Sequence, residues 1–508
     1  MSINWGQVYN SPIGQILGDL NPQTFMQLTS AGTSNQLSQL QAQLKQNETL
    51  TNAWTTLQSD AQSVNGSLST LNTASTFQQL QATSSSSSVA TAADSSAQAG
   101  SYQISIDQLA QTEIDQGVPT TAITSATTAL NLSGSFQVYV GTAPSSSITI
   151  SATDTLQQVA TAINQANTGV TATAVQLSSG NWGLDLQGNA TGASNAIHYV
   201  VGSSSGSVNP LQALGFSTTS TSGTSFVSGG TDFAGAVVQA AQNAFLNFGA
   251  PMTPPAPGSA TPSGMNSSSS NTFSNAIPGL TLTAASPGTT TITVSPNVSG
   301  MANSIQSFVN NWNQWVSDTA GLAEGGSVQS TGSGSSQSFN FSTNNNQVIT
   351  SGIPQNTVNQ VAQILGGTIG SSSSSYQSLA DVGITLGNTG ALSINSTTLD
   401  NALTNNPAGV AQLFQNLYAA LNPSQATGVL PAFFQTGSQG VTSEMIAYDT
   451  QQKQQIQSQI TLLNNQVSAE NQQATIQYGQ WVSQVAKAAQ QYSLLTAIFN
   501  PNPNTPGG

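Results

Sequence analysis

Apolar residues near the N-terminal end of the chain recur at intervals of three and four. They form two runs in a proline-free stretch from about residue 33 to residue 71: Leu37, Leu40 and Leu44, then Trp54, Leu57, Ala61, Val64, Leu68 and Leu71. Because residues three and four apart share one face of a helix, this spacing predicts a long amphipathic helix. The two runs are out of phase by one residue near Leu50, so we expect the stripe to slip or the helix to bend there.

The C-terminal end of the chain repeats this pattern. After Glu444, a Gln-rich segment carries apolar residues at Ile456, Ile460, Leu463, Val467 and Ala474, and then at Trp481, Val485, Ala488, Tyr492 and Leu495. The spacing predicts a second long helix, and we expect Pro501 and Pro503 to end it.

Neither helix can bury a narrow apolar stripe alone, because isolated helices are marginal in water. We therefore expect the two helices to pair with each other, with helices of other copies, or with both, and to be partly disordered in a free monomer. The alternative interpretation makes them two core helices of one bundle domain. The phase slip near Leu50 and the polar Glu470 within the second stripe favour a seam that is completed on assembly.

Between the two ends, the pattern changes to short runs of β-branched residues separated by turns. The alternation of Tyr102, Ile104 and Ile106 predicts a strand with one buried face. From 134 to 188 the order of elements is two strands, a helix capped by Asp154 and a hairpin, which predicts one compact α+β unit. Strands are also predicted in GLTLTA and TTITVS, and the Pro-rich stretch 250–271 is predicted to be an exposed insertion or a mobile loop.

A third helix is predicted from Met301 to Leu322. It carries Trp312 and Trp315, which could stack on a sugar or a base, but their helical spacing with Phe308 and Val309 favours a place in the core. Another helix is predicted at 357, a hairpin at 384 and a short helix at 406.

Charged residues make up only 4% of the 508 residues, with 17 acidic groups against three lysines and no arginine. Phosphate and anionic lipid both require clustered cations, so the composition excludes nucleic-acid binding and a polybasic membrane attachment. No apolar run is long enough for a membrane-spanning helix, and we expect no membrane insertion. The first lysine is Lys45 and the opening residues are polar, so we expect export without a cleaved signal peptide.

The residues that could support catalysis are few, with one histidine and no cysteine. Glu113 and Asp115 form the closest acidic pair of the β region and could in principle serve glycoside hydrolysis, but we interpret them as solvated loop charges. His198 is interpreted as an ordinary surface or core histidine. We therefore expect no enzyme activity, no cofactor and no metal site.

The low charge also suggests a hypothesis about habitat. Near pH 3 most carboxylates are protonated, whereas Ser, Thr, Asn and Gln remain hydrated at any pH, so the composition favours work in an acidic external medium. Compositional bias in an exported surface protein is the alternative.

Several phrases of the sequence, taken in order, point to a known family. They are GSYQISIDQLAQ at 100–111, the stretch 155–197 with TLQQVATAIN and GVTATAVQLSSGNWGLDLQG, NTFSNAIPGLTLTAASPG at 271–288, SLADVGITLGNTGALSINSTTLDNAL at 378–403 and NPAGVAQLF at 406–414. In this order they resemble the flagellar hook-associated capping protein, or FliD, family.

The resemblance implies an α+β multidomain fold, in which the N- and C-terminal helices pair into a coiled-coil-like leg below a mainly β head with an inserted α+β domain. The domains that we predict are 1–75 and 440–508 for the helical leg, 76–134 with 216–300 for the β-rich head domain, 135–215 for the inserted flagellin-insertion-like domain and 301–439 for a helix plus β-hairpin domain.

The resemblance also implies a function. The chain is expected to be a structural filament cap at the distal end of the extracellular bacterial flagellum, a homo-oligomeric plate of four to six copies that promotes flagellin folding and polymerisation. Expected partners are further copies, flagellin, the flagellar type III export apparatus and an export chaperone. The alternatives are a surface adhesin or glycan-binding module, or another flagellar axial or junction protein.

We expect the helical stripe to carry the assembly contacts. Its residues are Leu37, Leu40, Leu44, Trp54, Leu57, Val64, Leu68, Leu71, Ile456, Ile460, Leu463, Val467, Trp481, Val485, Tyr492 and Leu495.

Overall fold

The computed structural model describes residues 22–141, 146–204, 208–216, 225–227, 235–256, 259–324, 328–331, 338–341, 348–423, 428–435 and 440–499. The chain divides into two compact units, which we describe separately. The helical unit comprises residues 1–77 and 301–508, and the β-rich unit comprises residues 78–300. This division is coarser than the five predicted domains, whose individual boundaries stay a prediction.

The helices are numbered along the chain: α1 (Pro22–Leu71), α2 (Leu156–Gln165), α3 (Pro210–Ala213), α4 (Val298–Thr319), α5 (Ile353–Gly366), α6 (Ser396–Asn405), α7 (Pro407–Leu421), α8 (Val429–Phe434) and α9 (Val441–Phe499). The strands are β1 (Leu80–Ser84), β2 (Val89–Ala93), β3 (Gly100–Gln108), β4 (Ile114–Gly117), β5 (Gly134–Val140), β6 (Ile148–Ile150), β7 (Val170–Gln176), β8 (Trp182–Gly188), β9 (Ile197–Ser204), β10 (Ser225–Val227), β11 (Ala236–Gln239), β12 (Ala244–Phe248), β13 (Met265–Ser268), β14 (Thr272–Ser274), β15 (Leu280–Ala284), β16 (Gly288–Pro296), β17 (Val328–Thr331), β18 (Ser338–Phe341), β19 (Ile384–Leu386) and β20 (Leu392–Ile394).

The two long terminal helices α1 and α9 pair with each other, as the stripes predict. Residues later in α1 contact residues earlier in α9: Thr33 bonds Glu470, Glu48 bonds Lys453 and Gln58 bonds Ser443. The pair is therefore antiparallel. Helix α1 begins at Pro22, eleven residues before the proline-free stretch used to predict it. Pro501 and Pro503, predicted to end α9, lie outside the described residues.

Helix α1 continues without a break through the region where a slip or bend was expected. Its inward-facing positions pass from the half-buried Leu44, Asn47 and Thr51 to the buried Trp54, at intervals of three, four and three. Polar residues thus occupy the seam where no apolar residue is available. The hydroxyl of Thr51 donates to the Asn47 carbonyl at 2.9 Å, so it brings no unsatisfied group into the seam.

Aromatic residues of α4 contact other helices of the helical unit, since Phe308 meets Phe414 of α7 and Trp315 meets Phe433 of α8. Trp312 and Trp315 are both fully buried and meet edge to face, with ring centroids 5.7 Å apart. The indole N–H of Trp312 donates to the carbonyl of Gly390 in the turn between β19 and β20. The prediction that these tryptophans belong to the core, and that residues near 384 form a hairpin, is confirmed. The α-helical part of α4 ends at Thr319, and a π-helical turn, Ala320–Glu324, follows it directly.

The β-rich unit contains two hydrophobic cores. The first lies between the sheet β1-β16-β3-β12-β13 and the sheet β14-β15-β2. Alternate residues of β15 face inward, which places Leu280 and Leu282 in this core, as the period of two predicts. Strand β13 lies within the stretch 250–271 and pairs with β12, so that part of the predicted loop is instead a strand.

The second core lies between the sheets β10-β9-β5-β6 and β11-β4-β8-β7, and α2 packs into it through Leu156, Val159 and Ile163. The predicted hairpin is confirmed as β7 and β8. The prediction of Asp154 as the N-cap of α2 is wrong, because the cap is Thr155, whose hydroxyl accepts from the backbone N–H of Gln158. Gln158 bonds back to the Thr155 N–H and completes a capping box.

A turn between β14 and β15 explains the glycine in the phrase NAIPGLTL. Gly279 has a φ of +75°, and a Cβ there would collide with the backbone of Ala97. Only glycine fits both the left-handed conformation and this close approach.

Candidate assembly surface

The predicted stripe divides into a closed part and an open part. In the closed part Trp54, Leu57, Val64, Leu68 and Leu71 are at most 3% exposed. Helices α7 and α8 also pack on this stretch of α1, and the amide of Gln58 donates to the Phe434 carbonyl at the end of α8. These five residues are therefore already buried within the chain itself.

In the open part, α9 is the one helix of the described residues that covers the stripe of α1. The stripe side chains of the two helices are half-buried here; they are Leu37, Leu40, Leu44, Ile456, Ile460, Leu463, Val467, Trp481 and Val485. Beyond them, Tyr492 is 67% exposed and Leu495 is 52% exposed. The two helices thus leave part of their apolar stripe in contact with solvent.

Polar contacts fix the register of the open part. The hydroxyl of Thr33 and the amide of Gln466 both donate to Oε1 of Glu470, at 2.8 and 2.9 Å. Lys453 Nζ lies 2.9 Å from Glu48 Oε1, and both side chains are more than a third exposed. Such an exposed ion pair contributes little to the free energy of folding, so its main effect is to align α1 with α9.

A hollow of about 360 Å³ opens between the two helices in this region. It is lined by Leu40 and Leu463 of the stripe, by Leu462, and by the glutamines Gln36, Gln39, Gln43 and Gln459. Leu462 is 68% exposed. An apolar floor with uncharged amide walls can take an apolar side chain from a partner without requiring a charged group.

Sequence reasoning missed a second set of exposed apolar residues on these helices. They are Leu28 at 72%, Leu462 at 68%, Ile476 at 61%, Leu494 at 62% and Phe499 at 78% exposure. The first four lie off the three-and-four stripe, so a search for one periodic face passes over them, whereas Phe499 continues the stripe four residues after Leu495. The sequence signal that could have found these exposed residues is the presence of large apolar side chains next to the stripe.

The acidic pair of the β region is placed differently from our prediction. Glu113 is 3% exposed and Asp115 is fully buried, so they are not solvated loop charges. The backbone N–H of Ile197 donates to Glu113 Oε2 at 2.6 Å, and the hydroxyl of Tyr199 donates to Asp115 Oδ2 at 2.7 Å. The two carboxyl groups thereby join β4 of one sheet to β9 of the other.

The neighbours of this pair have the pKa shifts that burial predicts. Burial, followed by the charge of Asp115, raises the pKa of Tyr199 well above its ordinary value. Burial lowers the pKa of His198, whose ring stacks on Tyr139 with centroids 5.1 Å apart. Among the described residues, no group of three or more His, Cys, Asp and Glu side chains could hold a metal ion.

Comparison with known proteins identifies the family. The family model described as flagellar hook-associated protein 2 C-terminus matches residues 263–500, and the N-terminus model matches residues 20–113. The two models together span more than half of the chain. The chain belongs to the flagellar hook-associated protein 2, or FliD, family.

This membership confirms the resemblance and the function that it implies. The chain is a filament-cap protein, which acts as an oligomer with flagellin at the extracellular tip of the flagellum. The flagellin hook IN motif matches residues 135–181, within the second core of the β-rich unit. No curated protein matches the chain.

A solved FliD structure shows the same fold. The domains of the flagellar cap protein FliD from Escherichia coli align with 79% of this chain and 95% of theirs, at 24% identity and a TM-score of 0.51. The FliD structure from Pseudomonas aeruginosa aligns with 44% of this chain and 92% of its own, at 28% identity and a TM-score of 0.33. The predicted α+β fold with paired terminal helices and a β head is therefore confirmed.

Proposed function

We propose that copies of this chain assemble through the open part of the paired helices α1 and α9, forming a plate of four to six copies that promotes flagellin folding and polymerisation. One observation carries the proposal. Among the described residues, the stripe is closed where α7 and α8 cover α1, and half-exposed where α9 alone covers it.

The physical argument rests on the apolar area that remains in water. Burial of apolar surface contributes about 25 cal/mol per Å², so a half-buried stripe of nine residues leaves a driving force for further association. Leu40 and Leu463 line a hollow at this surface, where an apolar side chain of another copy or of flagellin can enter. The predicted assembly residues of the closed part then act indirectly, by holding α1 in place.

The chemistry of the open surface suits binding that is specific and reversible. Its flanks carry Gln, Asn and Ser, and Lys453 with Glu48 forms the one ion pair between described residues. A narrow contact without charge pairs dissociates more readily than a wide sealed interface, and a cap must release each contact when a new subunit enters.

Export through the flagellar type III apparatus, with an export chaperone and without a cleaved signal, is part of this proposal. No described helix is long and apolar enough to cross a membrane. One observation supports this route of export. The open parts of α1 and α9 depend on each other for burial, so they separate at a modest cost in free energy.

Light scattering over a range of concentrations tests the assembly surface. We would compare the full chain with Leu40→Gln and Leu463→Gln, and with the matched control Val238→Gln, since Val238 is 61% exposed in the β-rich unit. The two helix variants should lower the oligomer mass and slow filament elongation, and the control should change neither. Helix content from circular dichroism separates lost assembly from lost folding. Folded helix variants that keep the wild-type oligomer mass would refute the proposal.

A further inference from the structure

We propose that acid tightens the helical unit, because at two of its helix contacts an aspartate carboxyl group has a buried oxygen atom with no hydrogen-bond partner among the described residues. The unit is then more stable in acid than at neutral pH. This inference concerns the folding of a single chain and does not depend on the assembly surface.

The first contact joins α1 to α4. The amide of Asn311 donates to the Ser63 carbonyl at 3.1 Å, which brings the two helices side by side. Close to this point Asp60 of α1 faces Asp318 of α4, and Oδ2 of Asp60 is buried without a hydrogen-bond partner among the described residues. The amide of Gln314 donates to Asp318 Oδ2 at 2.9 Å. A buried carboxyl oxygen that receives no hydrogen bond is less costly in the neutral acid than in the carboxylate.

Burial is the largest cause of the shift at Asp60. Burial, followed by the neighbouring carboxyl group of Asp318, raises its pKa from 3.8 to about 7. The pair therefore holds its proton through the acid range and loses it near neutrality, where two adjacent negative charges repel each other.

The second contact joins α9 to α1. Asp449 is 4% exposed and lies between Ser443, which bonds Gln58, and Lys453, which bonds Glu48. The antiparallel register places it about 12 Å along the helix axis from Asp60. Burial raises the pKa of Asp449, so its neutral form is also favoured.

Few charges face these groups from the surrounding elements. Helix α8 has no titratable residue, and the titratable residues of the others are Tyr418 on α7, Asp318 on α4, Lys45, Glu48 and Asp60 on α1, and Glu444, Tyr448, Asp449 and Lys453 on the adjoining part of α9. Glu48 and its partner Lys453 lie about 18 Å along α1 from Asp60, which is beyond the screening length of about 8 Å at physiological salt. Lys453 is one turn from Asp449, but its ammonium group is bonded to Glu48.

The sign of the effect follows from linkage. A carboxyl group whose pKa is raised by folding takes up a proton on folding, so its contribution is present below pH 3.8 and is lost as the pH rises to about 7. The full shift at Asp60 would change the unfolding equilibrium constant about 1000-fold. Because Asp60 is half-exposed and solvent screens the interaction, we expect about a tenfold change between pH 4 and pH 8.

Urea unfolding of the full chain, followed by helix circular dichroism from pH 4 to pH 8, tests the inference. The wild-type unfolding constant should rise about tenfold over this range. Asp60→Asn and Asp449→Asn, which imitate the neutral acids, should each flatten the rise and unfold less readily than wild type at pH 8. The matched control Asp400→Asn, an exposed aspartate on α6, should keep the wild-type slope.

Two results would overturn the inference: a wild-type helix stability that is constant or increases from pH 4 to pH 8, or variants that keep the wild-type slope. A measurement on the unmodified protein covers the case in which a variant does not fold. Aspartate carboxyl resonances of the labelled full chain should include one that titrates near pH 7, and titration of every aspartate below pH 5 would refute the proposal.

Discussion

Replacement of Leu57 by alanine should destabilise the helical unit much more than replacement of Leu40. Leu57 is fully buried where α7 and α8 pack on α1, whereas Leu40 is half-buried beneath one partner helix. Truncation of a fully buried leucine costs about 3 kcal/mol, from lost burial and from the cavity left behind. At Leu40 about half of the side chain is already in water and no closed cavity forms, so the cost is about 1 kcal/mol. The expected effects on the unfolding equilibrium constant are more than hundredfold and about fivefold.

Urea titration followed by circular dichroism at 222 nm measures both costs, because most described helices belong to the helical unit. The midpoint should fall with an unchanged slope for both variants, and the larger fall should belong to Leu57→Ala. Light scattering measures the oligomer mass. For each kcal/mol of lost stability, Leu40→Ala should lower this mass more than Leu57→Ala, since Leu40 lies on the proposed assembly surface. Equal destabilisation by the two substitutions, or a cost below about 1 kcal/mol at Leu57, would refute the division into closed and open parts.

Three further substitutions test the β-rich unit by its urea midpoint. Tyr199→Phe removes the hydroxyl that bonds a buried carboxyl group and should cost about 2 kcal/mol; a loss below 0.5 kcal/mol would contradict the contact. Thr155→Ala removes the cap of α2 and should cost about 1 kcal/mol, whereas Thr161→Ala, on the exposed side of α2, should be neutral; equal effects would argue against the cap. Gly279→Ala should cost more than about 2 kcal/mol through backbone strain and collision, and wild-type stability would disprove this turn geometry.

The long helices could be predicted because their signal is long and periodic. Stripes of nine and ten apolar residues outweigh a local irregularity, and α1 continues without a break through the phase slip, where Asn47 and Thr51 are half-buried. The core position of Trp312 and Trp315 followed from the same period. The closed and open parts of the stripe could not be separated in the sequence, since the difference depends on α7 and α8, which are more than 300 residues away along the chain.

The burial of Glu113 and Asp115 could not be predicted for a different reason. Strand β4 has only four residues, so its alternation does not say which face is inside. Buried carboxyl groups are rare without partners, and the partners here are the N–H of Ile197 and the hydroxyl of Tyr199, contributed by a strand about 80 residues later. The N-cap of α2 was missed by one residue because Asp154 and Thr155 are both good caps, and only the backbone conformation decides between them.

The first and last strands of the β-rich unit, β1 and β16, are antiparallel neighbours, with Leu80 directly opposite Pro296. The chain therefore enters and leaves this unit at one place, about one strand spacing apart. A short turn could join these two points and close the helical unit without the 215 residues between them. The β-rich unit can thus be exchanged, shortened or enlarged as a cassette, which makes this position a natural point for grafting a foreign domain onto a flagellar cap.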